Sequence, residues 1–196
     1  MIESNKQETI NPLFKAGLEL QNTMEENKWQ FCFIGGLSVL RWGEIRMTLD
    51  IALCLLCGFG NEGKYSKDLL RSYRSRISDA YNFALANRVL LLYASNDVSV
   101  DISLSGLQFE EQMIKGATFF SFHPDCRLMT CSAEDLIILK AFADRTKDWM
   151  DVEGIIVRQG KNLNIDFIIE QLSPLCKEKG TTNIINKLQT LFKNLL

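Results

Sequence analysis

The sequence predicts an α+β fold in which a mixed β-sheet with flanking helices precedes a C-terminal helical region. Short apolar runs that end in glycine or polar turns alternate with helical periodicity through residues 1–130. From residue 131 to residue 196 only helical spacing recurs. With 196 residues, of which 46% are apolar, the chain can bury one good core. We therefore expect an α/β core over 1–130 and a helical region over 131–196 packed on it.

The first elements alternate between helix and strand. Asn11 and Pro12 begin a helix that ends near residue 27. The apolar run 29–34 predicts a strand, which stops at a Gly-Gly turn before a short helix. After a basic loop, the run 49–56 predicts the second strand, and the glycine-rich stretch 57–63 predicts a mobile loop beside it.

The middle of the chain predicts a helix and a hairpin. Residues 66–77 have helical spacing and carry three arginines, which make a modest basic face or a solvated one: Arg71, Arg74 and Arg76. A further helical stretch spans 79–86. Residues 89–94 and 98–104 are apolar runs joined by Ser-Asn-Asp, as in a hairpin, and this places Asp101 inside a strand.

Four helices are predicted in the last third of the chain. They cover residues 133–144, 147–158, 165–172 and 182–196. Pro174 is expected to break the third of these helices, because proline lacks the backbone donor that a helix interior needs.

Composition and charge limit the kinds of function that the chain can have. A net charge of −2 gives no overall basic footprint for nucleic acid. No apolar stretch is long enough to span a membrane, and the N-terminus lacks the pattern of a secretory signal, so we expect a cytoplasmic protein without a membrane partner. The six cysteines are irregularly spaced, and Cys54 and Cys57 fall in or next to an apolar strand, which favours buried thiols over disulfides, zinc or a redox turn.

Carboxylates in the strands are the main candidates for chemistry. Strand alternation places Asp50 and residue 52 on one face. Asp101 would lie on the same face if its strand pairs beside the strand that carries Asp50. A carboxylate in an apolar strand is costly unless it is paired, bound to a metal or at an exposed edge. Position 52, however, is alanine.

The order of these motifs resembles the polymerase-beta type of nucleotidyltransferase superfamily, and within it the AbiEii/MenT-like toxin and minimal nucleotidyltransferase groups of bacteria. The resemblance covers about residues 29–159. Its first part is FIGGLSVLRWGEIRMTLDIALCLL, which matches except at Ala52, and its second part is SAEDLIILKAFADRTKDWMDVEGII.

The resemblance implies a set of residue roles. Asp50 and Asp101 would hold Mg²⁺ or Mn²⁺, with Asp101 also accepting the proton of the attacking hydroxyl. The phosphates of an NTP would be bound by Gly35, Gly36 and Ser38 at the start of the helix. Lys140 would contact the triphosphate, and Arg46 would support phosphate binding or orient Asp50. Three further positions are carried over from the segment after Lys140, with Asp151 assigned to nucleotide binding: Arg145, Asp148 and Asp151.

Each of these positions also has a structural interpretation. The Gly-Gly pair can be an ordinary turn, and Ser38 can be only a helix cap. Lys140 can pair with Asp144 one helical turn away, and Asp148 or Asp151 can pair with Arg145.

The function implied is Mg²⁺-dependent transfer of a nucleoside monophosphate from an NTP to a hydroxyl of RNA, such as tRNA, or of protein, in a toxin–antitoxin setting with a cognate antitoxin. Ala52 removes one metal ligand, by natural loss or by engineering, and this favours an alternative: a catalytically inactive module that binds a nucleotide or a partner. A scaffold without any ligand is the third hypothesis.

Overall fold

The computed structural model describes residues 10–196, in which nine α-helices flank one seven-stranded sheet. The helices are α1 (Pro12–Glu26), α2 (Gly35–Trp42), α3 (Glu62–Ser72), α4 (Ala80–Asn87), α5 (Gln108–Lys115), α6 (Ala133–Ala143), α7 (Thr146–Gln159), α8 (Ile165–Lys179) and α9 (Asn183–Leu195). The strands are β1 (Phe31–Ile34), β2 (Asp50–Leu56), β3 (Arg74–Ser75), β4 (Val89–Tyr93), β5 (Ser99–Ser105), β6 (Thr118–His123) and β7 (Cys126–Thr130). A 3₁₀ turn at Gly160–Asn162 follows α7.

The sheet is mixed, as the sequence predicted, and β2 lies at its centre. The strand order is β3-β4-β5-β2-β1-β7-β6. Strand β2 runs parallel to β5 and antiparallel to β1, and β1 meets β7 in parallel. The outer pairs β3–β4, β4–β5 and β6–β7 are antiparallel. Residues at the start of β2 therefore lie between the end of β1 and the start of β5.

Strand alternation divides the buried residues between two sides of the sheet. Ile51, Leu53 and Leu55 belong to a core that includes the apolar face of α1. Cys54 belongs to a second core that includes α6 to α9 and part of α2 and α5. The C-terminal helices thus share a continuous apolar cluster with the sheet.

Local capping explains where several helices begin. The side chain of Asn11 accepts a hydrogen bond from Leu13 N at the start of α1, where Pro12 occupies the first turn. Ser132 accepts in the same way from Asp135 N at the start of α6. These caps coincide with the predicted helix starts.

The helix predicted over 66–77 is wrong at both ends. Helix α3 begins earlier, at Glu62, which shortens the predicted loop, and it ends at Ser72 because Tyr73 adopts an extended conformation. Arg74 and Ser75 instead form β3 and pair with Tyr93 and Leu92. Pairing with a strand outweighed the local helical spacing.

The predicted break at Pro174 is also wrong, because α8 continues through it to Lys179. Ser173 Oγ donates a hydrogen bond to the Ile169 carbonyl at 2.6 Å, the i−4 contact that serine makes inside a helix. Leu172 and Cys176 are buried on either side of Pro174. Packing on the core therefore holds both halves of the helix in line.

Helix α5 and the β6–β7 hairpin had no counterpart in the sequence analysis. All six cysteine thiols are buried and free. Burial raises the pKa of Cys126 to about 11 and that of Cys131 to about 12, so both thiols stay protonated at neutral pH.

Among residues 10–196, no helix has the length and apolar character required to cross a membrane.

Candidate nucleotide site

The start of β2 brings together the three strand positions that the sequence singled out. Ala52 lies in register with Asp101 of β5 on one side and with Ile34 of β1 on the other. Asp50 is two residues away on β2 and pairs with Ser99. In-register neighbours project to the same face of a sheet, so Asp50, Ala52 and Asp101 share one face. The alanine lies between the two acids.

Both remaining carboxylates already have protein partners. Thr48 Oγ1 donates to Asp50 Oδ1 at 3.2 Å. Asp101 forms an ion pair with Arg76, which follows β3, and both side chains are partly exposed. The charge of Asp101 is therefore balanced by a guanidinium within the protein.

The two glycines that precede α2 are required by close contacts. Gly35 has φ +61°, and a Cβ added there would lie 2.8 Å from Ala52 Cβ. A Cβ added at Gly36 would lie 2.1 Å from Thr48 Oγ1. Contacts under about 3 Å are not tolerated in a packed structure, so side chains here are excluded. The backbone at the start of α2 thus lies directly against residues 48 and 52.

The start of α2 is open for an anion. Its N-cap residue, Ile34, has no side-chain oxygen and makes no capping hydrogen bond. The first backbone N–H groups of a helix lack partners inside the helix and carry partial positive charge. Gly35 and Gly36 therefore occupy the position that the resemblance implied for phosphate binding.

Ser38 does not point to that open end. Its side chain is fully buried, and Oγ donates to the Phe33 carbonyl at 2.9 Å. This hydrogen bond links α2 to β1, the strand that precedes it. Ser38 therefore has a structural role, but it is not the helix cap suggested by the sequence, because the N-cap residue is Ile34.

Five charged side chains form a network beside the start of α2. Lys140 Nζ lies 3.1 Å from Asp148 Oδ1 and 2.6 Å from Asp151 Oδ2. Arg46 donates to both oxygens of Asp151, at 2.7 and 2.9 Å. Arg145 donates to both oxygens of Asp148, with Nη2 3.2 Å from Oδ1. We refer to these five residues as the Lys140 network.

The Lys140 network resolves the alternatives that the sequence left open. Lys140 does not pair with Asp144, whose carboxylate instead accepts a hydrogen bond from Trp149 Nε1 at 2.6 Å. Arg145 does pair with Asp148, as the structural interpretation had it. Arg46, expected to support phosphate or Asp50, contacts Asp151 directly.

The network carries a surplus of positive charge. Its three cations face two carboxylates, so its formal charge is one positive unit. Burial opposes ionisation of Asp148, but hydrogen bonds from Arg145 and Lys140 outweigh it and lower its pKa. The pKa of Asp151 is lowered in the same way by Arg46 and Lys140. Both acids are therefore ionised at neutral pH.

Asp50 lies within electrostatic reach of this network. Hydrogen bonding to Asp151 is the main cause that raises the pKa of Arg46, and the negative charge of Asp50 adds to it. The pKa of Arg145 is raised mainly by its bond to Asp148 and also by Asp50. The strand carboxylates and the network are thus parts of one charged region.

A cavity of about 220 Å³ lies between Ala52 of β2 and part of the Lys140 network. Its lining comprises residues of β1, β2, α2, α6 and α7 with their connecting turns: Ile34, Gly35, Ala52, Leu136, Leu139, Lys140, Ala143, Arg145 and Asp148. Ala52 therefore forms part of the cavity wall, opposite Lys140 and Arg145. We refer to this cavity as the Ala52 cavity.

The side chains do not fit a pair of Mg²⁺ ions. Magnesium requires near-octahedral oxygen coordination with carboxylates as the protein ligands. Asp50 and Asp101 are the carboxylates at the β2 edge, Ala52 offers no ligand atom, and Asp101 is occupied by Arg76. Across residues 10–196, no group of three or more His, Cys, Asp or Glu side chains is placed to hold a metal ion.

The three arginines of residues 66–77 do not share one helix face, so neither the basic face nor the solvated helix face considered from the sequence is formed. Arg71 pairs with Asp68 on α3, Arg74 pairs with Asp97, and Arg76 pairs with Asp101. Their positions on a helix, a strand and a turn follow from the early end of α3. The role of Arg76 at the site was missed, because the pairing of β3 with β4 leaves no signal in so short a strand.

Comparisons with known proteins identify the fold. No family model matches the sequence, and no curated protein matches it. Among solved structures, an antigenic nucleotidyltransferase-like protein from Paracoccidioides brasiliensis is similar with a TM-score of 0.50 and 12% identity, over 88% of this chain and 91% of that one. ANT(2")-Ia in complex with adenylyl-2"-tobramycin is similar with a TM-score of 0.53 and 12% identity, over 85% and 98%.

At this level of identity the comparisons show the fold: a nucleotidyltransferase-like mixed sheet with flanking helices. The predicted fold class is therefore confirmed. Membership of the AbiEii/MenT-like groups stays a prediction.

Proposed function

We propose that this chain is a nucleotidyltransferase-type protein that binds a nucleoside triphosphate in the Ala52 cavity. The observation that carries the proposal is the convergence of the uncapped start of α2 and the positively charged Lys140 network on one cavity. Backbone N–H groups at a helix start and clustered cations are both suited to phosphate oxygens. The fold likeness to nucleotidyltransferases supports a nucleotide as the source of that phosphate.

The reaction proposed for this fold is transfer of a nucleoside monophosphate to a hydroxyl of RNA, such as tRNA, or of protein. The acceptor oxygen bonds to the α-phosphorus, the bond to the bridging oxygen breaks, and pyrophosphate leaves with the bonding electrons. Magnesium or manganese supplies charge neutralisation for such a transfer when carboxylates hold it. In this chain Ala52 and the Arg76–Asp101 ion pair oppose that arrangement, so we propose that transfer is weak or lost.

A second candidate function is a catalytically inactive module that binds a nucleotide or a partner protein. It is favoured by the same two features, because an acid paired with an arginine is poorly suited to bind a metal. A cognate antitoxin is the partner implied by the toxin-like resemblance. No contact of the described residues distinguishes RNA from protein as the acceptor.

The two candidates are separated by labelled transfer assays. This chain, Ala52→Asp and the neutral control Ala52→Asn are incubated with labelled NTPs and Mg²⁺ in the presence of total RNA and total protein. Labelling of an acceptor by the Asp variant alone supports a nucleotidyltransferase disabled at position 52. If no variant labels an acceptor while NTPs still raise the melting temperature, the binding module is the better description.

Nucleotide binding itself is tested by melting with ATP, CTP, GTP and UTP. A ligand at about 100 times its dissociation constant stabilises the native state by about 2.7 kcal/mol, which is readily measured. The absence of a shift with all four nucleotides would exclude the first candidate and leave a module that binds only a partner protein, or a scaffold without a ligand.

A further inference from the structure

We infer that the Ala52 cavity holds the phosphate chain of a nucleotide without a divalent cation, and that Arg76 supplies positive charge at the β2 edge in place of a metal. This inference rests on the proposed function, which provides the nucleotide. It departs from the metal dependence that the sequence resemblance implied.

The first step is the charge at the edge of β2. Asp50 and Asp101 contribute two negative charges, and Arg76 adds one positive charge in its ion pair with Asp101. Ala52 contributes none. The edge is therefore left with one negative charge, whereas an aspartate at position 52 would leave it with two.

The second step is the balance across the cavity. The Lys140 network opposite carries one net positive charge, so the edge and the network together are formally neutral. A polyanionic ligand between three carboxylates needs metal ions to offset repulsion. In this chain that repulsion is already reduced by the missing acid and by Arg76.

The third step is the chemistry of the arginine. A guanidinium has five N–H donors in a planar fork, and its charge is permanent. The Arg76 side chain is 28% exposed and that of Asp101 is 42% exposed, so the pair is accessible to solvent. Arg76 is not part of the cavity lining, but it is paired through Nη1 with Asp101, the in-register neighbour of Ala52. A phosphate chain that extends from the cavity past Ala52 would meet the other donors of Arg76.

The test measures NTP affinity by calorimetric titration in excess EDTA and in excess Mg²⁺. The expected result for this chain is the same dissociation constant in both, within about twofold, which corresponds to less than about 0.5 kcal/mol. For Ala52→Asp, the affinity in EDTA should fall about tenfold and recover with Mg²⁺, because the added carboxylate repels phosphate until a cation binds. Ala52→Asn is the control that adds the same volume without charge and should retain affinity in EDTA.

Arg76 is tested with two variants whose folding is checked by melting. Arg76→Gln should weaken NTP binding in EDTA about tenfold, whereas Arg76→Lys, which keeps the charge, should lose less. Binding by the unaltered chain that requires Mg²⁺ would overturn the inference and leave the proposed function standing. Equal affinities for Arg76→Gln and the unaltered chain in EDTA would also overturn it. No binding in either condition would reject the proposed function as well.

Discussion

The ammonium of Lys140 lies 2.6 Å from the carboxylate of Asp151, with both side chains almost completely buried. The same carboxylate receives two hydrogen bonds from Arg46, which comes from the loop before β2. Asp151 therefore ties α7 both to α6 and to that loop. The contact holds the start of β2 against the C-terminal helices.

We predict that Asp151→Asn lowers the free energy of unfolding by about 3 to 5 kcal/mol. Removing the charge of Asp151 leaves the three cations of the Lys140 network facing one carboxylate, that of Asp148, and breaking a buried ion pair costs more than losing a surface contact. Urea unfolding measures the difference. Glu153→Gln, an exposed position on the same helix, is the matched control and should change stability by about 0.5 kcal/mol or less. Equal effects of the two variants would contradict the burial argument.

Acid should destabilise the protein through Asp148 and Asp151. Their pKa values are lowered from 3.8 in the folded state, so the unfolded chain binds protons first as pH falls. The stability they contribute is fully present above pH 3.8 and is lost as pH drops through their lower folded values. Asp135 acts in the opposite direction, because burial raises its pKa and favours the folded state at lower pH.

The comparison of variants separates these contributions. Unfolding free energy is measured from neutral pH to below 3.8 for the unaltered chain and for Asp148→Asn. The variant should start less stable and fall less steeply, since one of the two acids with a lowered pKa is gone. Parallel curves would show that Asp148 does not contribute to the acid transition.

Gly36→Ala should be strongly unfavourable, and the cause can be tested by a second substitution. The new methyl group would overlap Thr48 Oγ1, with a separation of 2.1 Å, so we expect a loss of about 1 to 3 kcal/mol. Thr48→Gly in the same chain should recover part of that loss, whereas Thr48→Gly alone should not stabilise. Gly116→Ala is the control, because Gly116 has φ −83° and its nearest contact would be 3.4 Å. Thermal melting of all four variants decides the outcome.

The sequence predicted the parts of this molecule that local patterns determine. The two central strands and the Gly-Gly start of α2 follow from apolar runs, breakers and capping residues, and the structure places them as expected. The shared face of Asp50 and residue 52 followed from strand alternation alone. Asp101 lies on that face because β5 pairs in parallel with β2. The resemblance implied that Asp101 acts together with Asp50, but the pairing of the two strands was not predicted.

The errors lie where distant partners override local preference. Arg76 lies outside α3 because the residues before it, Arg74 and Ser75, pair with β4. Pro174 lies inside α8 because the turns on both sides of it are packed on the core. The Lys140–Asp151 contact joins two helices across a turn, whereas helical spacing suggested only local partners, Asp144 for Lys140 and Arg145 for Asp151. Such pairings depend on tertiary packing, so a single sequence does not reveal them.

Ser38 provides the sharpest test of what the start of α2 does. Its hydroxyl was a candidate phosphate ligand, but it donates to the Phe33 carbonyl inside the protein. We therefore expect Ser38→Ala to lower the free energy of unfolding by about 1 kcal/mol, the typical value of one hydrogen bond, and to leave the dissociation constant of an NTP unchanged. Paired measurements of melting and of nucleotide titration on the same preparation separate the two effects. A tenfold loss of affinity without a loss of stability would instead return Ser38 to the phosphate site, since it would mean that the hydroxyl turns toward the ligand when a nucleotide binds.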